Sequence, residues 1–141
     1  MKLQIIAYVA TALVFLGFDA VWLSTMGDKF YRPIIGDLML EKFSPPPAII
    51  FYLLYVLGVI IFAVSPALVT GKWTTALGYG AMFGFFAYVT YDLSNQATLK
   101  TWTTTLSITD IAWGTFVTGV SATLGFLITM LVARWIGEPI G

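Results

Sequence analysis

Carboxylates set inside apolar stretches are the first residues of this chain with chemistry to offer. The segment Tyr88-Val-Thr-Tyr-Asp-Leu-Ser-Asn-Gln-Ala-Thr98 closes a long hydrophobic run and carries Asp92 and Asn95. Asp19 lies within an earlier run, and Asp110 near the start of the last one. An Asp at the centre of a membrane helix costs about 2.5–3.5 kcal/mol on insertion scales. Each of these acids must therefore find a partner, face water or carry a proton. Acids so placed can bind a cation or a proton. Two together can do acid–base work or hold Mg²⁺ through oxygen ligands.

The rest of the composition narrows that chemistry. There is no Cys, which removes disulfides, thiolate nucleophiles and Cys-based zinc or iron–sulfur sites. There is no His either, so the commonest general base, metal ligand and pH switch are missing. The sequence holds no metal-ligand cluster, phosphate-cradling loop or nucleophile elbow, and it names no cofactor. Seven basic and seven acidic residues cancel, and no basic patch points to nucleic acid. Only 10% of the 141 residues are charged, against about 25% in a soluble domain. With a mean hydropathy of +0.90, the chain reads as one integral membrane domain, with membrane lipid as its solvent.

Four apolar runs, about 3–25, 47–69, 74–99 and 107–135, are each long enough to span, since a spanning helix needs about 20 mainly apolar residues. The expected fold is all-α: a four-transmembrane-helix bundle, multi-pass in a bacterial inner membrane, with both termini on one side. Between the first two runs, Gly27 to Phe43 mixes Asp28, Lys29, Arg32 and Asp37 with Phe30, Tyr31, Ile34 and Ile35. That pattern predicts a short interfacial amphipathic segment, and Arg32-Pro33 disfavours one continuous helix through it. Ser44 followed by three prolines opens the second helix, and Pro66 is expected to kink or end it. Gly80 and Gly84 form a GxxxG pair suited to close helix approach, which makes a homo-oligomer one expectation. Ser107-Ile-Thr-Asp110 has the spacing of an acidic capping box. Lys and Arg divide three against four between the two sides, too evenly to orient the chain by the positive-inside rule.

Alternating spans bring one set of polar residues to one membrane face. Asp19 and Asp92 each lie roughly 9–10 Å of helix from the same surface, at 1.5 Å per residue. Tyr52 and Tyr55 fall in the first turns of the second helix, and Asp110 and Trp113 near the start of the fourth. Tyr88, Asp92 and Asn95 share a face, as do Phe15, Asp19 and Trp22. The candidate ligand, proton or cation site is thus Asp19, Trp22, Tyr52, Tyr55, Tyr88, Asp92, Asn95, Asp110 and Trp113, with Asp19 and Asp92 facing a shared wet chamber. Plainer readings stand beside it. Asp110 would simply cap its helix, Asp92 with Asn95 would clamp two helices, and Trp22, Trp73, Trp102 and Trp135 would belong to the interfacial belt.

Phe-Asp-Ala-Val-Trp22, Phe-Tyr-Arg-Pro-Ile-Ile-Gly36, Phe-Tyr-Leu-Leu-Tyr55, Tyr-Asp-Leu-Ser-Asn-Gln-Ala-Thr-Leu99 and Asp-Ile-Ala-Trp-Gly114 resemble an uncharacterised bacterial membrane family, domain of unknown function 2177. The resemblance covers nearly the whole chain. It implies a small inner-membrane protein with Asp-x-x-Trp, Tyr-Asp-x-x-Asn and Asp-x-x-Trp-Gly as its signature, and it assigns no activity. From the residues, the leading expectation is a protein that binds or transports a small molecule, lipid or cation. The alternatives are a lipid-modifying enzyme using paired carboxylates and an accessory subunit.

Overall fold

The computed structural model describes residues 1–140 as four long helical runs with no strand among them. They are α1 (Lys2–Leu38), α2 (Pro45–Thr70), α3 (Trp73–Thr98) and α4 (Thr104–Ile136). By length and composition α1, α2 and α4 can cross a membrane. Large apolar side chains such as Leu13, Leu54, Phe62 and Leu131 point outward, more than half exposed. In a water-soluble bundle such flanks would be aggregation surfaces; against acyl chains they are ordinary. The protein is an all-α membrane bundle.

The two irregular runs share one device. In α1, a π-helical turn at Gly27–Tyr31 precedes Arg32-Pro33, and the Arg32 N–H donates five residues back to the Gly27 carbonyl. In α2, a π turn at Ile60–Val64 precedes Ser65-Pro66, with the Ser65 N–H donating to Ile60. A proline inside an α-helix clashes with the carbonyl four residues before it. For Pro33 and Pro66 that carbonyl falls inside the wider turn. The helices consequently run on where the sequence suggested breaks: Pro66 does not end α2, and the amphipathic segment extends α1 instead of forming a separate helix. Its charged residues Asp28 and Arg32 are exposed and paired at 2.8 Å, while Tyr31, Ile34 and Ile35 are half-buried.

Helix α4 is the axis of the bundle. It packs most extensively on α3, then on α1, and also meets the π turn of α2. Small residues make the α3–α4 seam. A Cβ on Gly80 would lie 2.8 Å from the Ala122 methyl, one on Gly84 would strike the Gly114 carbonyl, and one on Gly114 would enter the Tyr88 ring. The GxxxG pair is therefore used within the chain, in the α3–α4 seam. Gly125 is likewise covered, by Thr11 of α1.

Helix α4 also starts earlier than the capping-box pattern implied. Thr103 is its N-cap, its hydroxyl accepting from the Leu106 N–H at 3.1 Å. The Ser107 side chain is engaged elsewhere, donating to Gln96 Oε1 at 2.7 Å and accepting from Trp102 Nε1 at 3.1 Å. Asp110 consequently sits well inside α4 as a buried acid and is not a capping residue.

Candidate functional site

Where α1, α2, α3 and α4 meet near the α3–α4 loop, they surround a cleft of about 580 Å³. Asp19, Trp22, Tyr31 and Ile35 reach it from α1, Phe51 and Tyr55 from α2, Tyr88 and Tyr91 from α3, and Asp110 and Trp113 from α4, with Trp102 from the loop. No Lys or Arg lines it. The volume falls within the roughly 300–1,000 Å³ of small-molecule sites, which are mostly apolar with a few placed polar groups.

The acids hold different positions. Asp19 is 7% exposed and accepts a hydrogen bond on each oxygen: Tyr52 Oη donates to one and Trp113 Nε1 to the other at 3.3 Å. Trp113 stacks flat on Trp22, with ring centroids 4.3 Å apart. From there Trp22 Nε1 donates to Tyr31 Oη at 2.9 Å, and Tyr31 Oη donates to Asp110 Oδ1 at 2.5 Å. Asp92 comes next across the α3–α4 seam: Ser107 Oγ, one turn before Asp110 on α4, lies 3.4 Å from the Asp92 carbonyl oxygen, and the two carboxyls act on one another. A chain of contacts thus runs from Asp19 through the paired indoles to Asp92.

Asp92 is completely buried, and neither of its oxygens receives a hydrogen bond. It does not line the cleft but lies in the α3–α4 seam, its carbonyl 3.4 Å from Ser107 Oγ. Two unit charges of like sign about 4 Å apart repel by about 4 kcal/mol at an effective dielectric of about 20. The only ion pair among the described residues is the exposed Arg32–Asp28 contact, so no cation offsets that repulsion. Those residues also contain no group of three acids able to hold a metal ion.

Set against the sequence, the cleft gathers Asp19, Trp22, Tyr55, Tyr88, Asp110 and Trp113. Tyr52 stands behind Asp19 as its donor, and Tyr55 Oη shares a hydrogen with Thr118 Oγ1 at 2.8 Å. Two expectations need correction. The chamber's second acid is Asp110, because Asp92 lies on the face of α3 pressed against α4. Asn95 makes no side-chain hydrogen bond to the site; its neighbour Gln96 ties the loop instead, donating from Nε2 to Thr104 at 2.8 Å. The sequence reading missed Tyr31 and Trp102. Tyr31 was hidden by the assumed break at Pro33, and Trp102 by its resemblance to a belt residue.

Apolar flanks around a core that holds three buried acids, Asp19 and Asp110 at the cleft and Asp92 in the α3–α4 seam, define the class: a helical membrane protein with an internal polar site. The chain belongs to the family described as Predicted membrane protein (DUF2177), which matches residues 4–127. No curated protein and no solved structure matches it.

Proposed function

We propose that the cleft binds an organic cation, an ammonium group carrying an apolar body, as the ligand site of a multi-pass carrier in the bacterial inner membrane. The observation that supports this is its lining: indole and phenol rings surround two carboxylates, and no basic side chain competes with a positive guest. Aromatic faces attract ammonium groups by about 0.5–2 kcal/mol each, more when water is excluded. Asp19 and Asp110 supply the counter-charge, and the Trp22–Trp113 stack fixes the wall between them. In this reading α3 is a fourth span. Its 26 residues would reach roughly 39 Å at 1.5 Å each, and Met82, Phe85, Phe86 and Leu93 face outward from it.

The test is binding of benzyltrimethylammonium to the protein in lipid nanodiscs, read by quenching of tryptophan fluorescence. Its uncharged carbon isostere, neopentylbenzene, is the control. The cation is expected to bind at least tenfold tighter than the isostere, and Asp19→Asn to remove most of that preference. Equal affinity for the two, or no binding of either, would overturn the proposal. The span assignment has its own check. The chain lacks Cys, so single cysteines at positions 72 and 100 are expected to label from opposite sides of a sealed vesicle.

A further inference from the structure

Asp92 is the buried group that cation binding leaves unused. Neither of its oxygens has a donor, and the carboxyl of Asp110 is the polar group beside it. Two ionised carboxylates cannot hydrogen-bond to one another, whereas a single proton lets one donate to the other. The other titratable groups facing the pair are neutral phenols: Tyr31 from α1, which donates to Asp110, and Tyr88 and Tyr91 from α3. On the α2 side, Tyr52 and Tyr55 turn toward Asp19 and Thr118. No Lys or Arg lines the cleft beside Asp110, and among the described residues neither acid is in an ion pair. Asp19, by contrast, accepts a hydrogen bond on each oxygen, from Tyr52 and Trp113.

We propose that the Asp92–Asp110 pair is a proton site whose proton leaves when the cleft takes up its cation, so that the protein exchanges protons for organic cations. This rests on the cation-binding reading above. Asp110 joins the two sites: it lines the cleft, and one turn from it along α4 Ser107 meets Asp92 across the α3–α4 seam. A positive guest beside Asp110 does for the pair what the shared proton did, and the two occupants compete. The balance is one cation in and one proton out. The O–H bond of the pair breaks, its electrons stay on the carboxylate, and the proton leaves through the cleft. Linkage is reciprocal, so protons must weaken the cation as much as the cation weakens protons.

Titration calorimetry of benzyltrimethylammonium into the nanodisc-bound protein, in buffers of different ionisation enthalpy, counts the protons released. About one per cation is expected where the pair is protonated, and Kd should tighten about tenfold per pH unit across that range. In the infrared, a carbonyl band of a protonated carboxyl should be present in the resting protein and vanish on adding the cation. In Asp92→Asn the amide N–H can donate to Asp110 permanently. Release should disappear, and whatever affinity remains should no longer depend on pH. Cation binding to the unmodified protein with no proton released and a Kd flat with pH would overturn the exchange while leaving the cation site standing. Absence of any cation binding would overturn both.

Discussion

Asp19 and Asp92 look interchangeable in the sequence, each a lone acid within an apolar run, yet they occupy opposite situations. Asp19 sits in a corner built to receive it, with a phenol and an indole each donating to one oxygen. Asp92 is the more deeply buried of the two and has no donor at all. Burying a polar group is tolerable when it is hydrogen-bonded and costly when it is not. One corner is therefore already satisfied. The other is satisfied only by something that comes and goes, and such tension is more common at working sites than in scaffolding.

The largest expected effect comes from breaking the seam that keeps Asp92 against α4. Gly114→Val drives a branched side chain into the Tyr88 ring. Overpacking of this kind costs about 1–3 kcal/mol and sometimes more. Loss of the monodisperse folded species in detergent is expected, and full recovery of wild-type stability would show that the seam can open freely.

Next comes Asp19→Asn, which turns one acceptor into a donor facing Tyr52 or Trp113. A buried group left unpaired costs about 1–3 kcal/mol, and thermal unfolding should fall accordingly. The same change at the other acid should have the opposite sign. Asp92→Asn makes permanent a donor that the shared proton supplies only at times, and at a pH where that proton is gone it is expected to stabilise by about 0.5–1.5 kcal/mol, the usual net value of a hydrogen bond. If both variants shift in the same direction, the contrast between the two corners is wrong. Of similar size is Tyr31→Phe, which cuts the link from Trp22 to Asp110. A loss of about 1 kcal/mol is expected, together with a change in Trp22 emission.

Much of the fold was legible because lipid is an undemanding solvent to predict: long apolar runs can only be helices there. The clustering of acids and tyrosines at one end followed from alternating spans alone. What could not be read was rotation and register. Whether Asp92 meets Asp19 or Asp110 depends on how far α3 turns about its axis, which the glycines at 80, 84 and 114 decide by letting it approach α4. The start of α4 was ambiguous because Thr103 and Ser107 are both good caps. Only the competing engagement of Ser107 by Gln96 and Trp102 resolves it. The π turn at Gly27–Tyr31 leaves no mark in residue composition, and it moved Tyr31 from a presumed surface segment into the cleft.

That widened turn sets the angular phase of everything beyond it. Trp22 and Tyr31 are nine positions apart, and at about 100° per residue a regular α-helix would place them on opposite sides. They are instead joined at 2.9 Å, because the extra residue held in the i−5 loop unwinds the intervening helix. Excising a single position between Gly27 and Tyr31 would remove that extra residue and let a regular helix close the gap, leaving Trp22 and Tyr31 about 80° apart around the helix and the phenol still turned toward Asp110. A one-residue deletion in this stretch should thus spare the Trp22–Tyr31 hydrogen bond, whereas a one-residue insertion there should turn the phenol away by about 100° and disable the cleft.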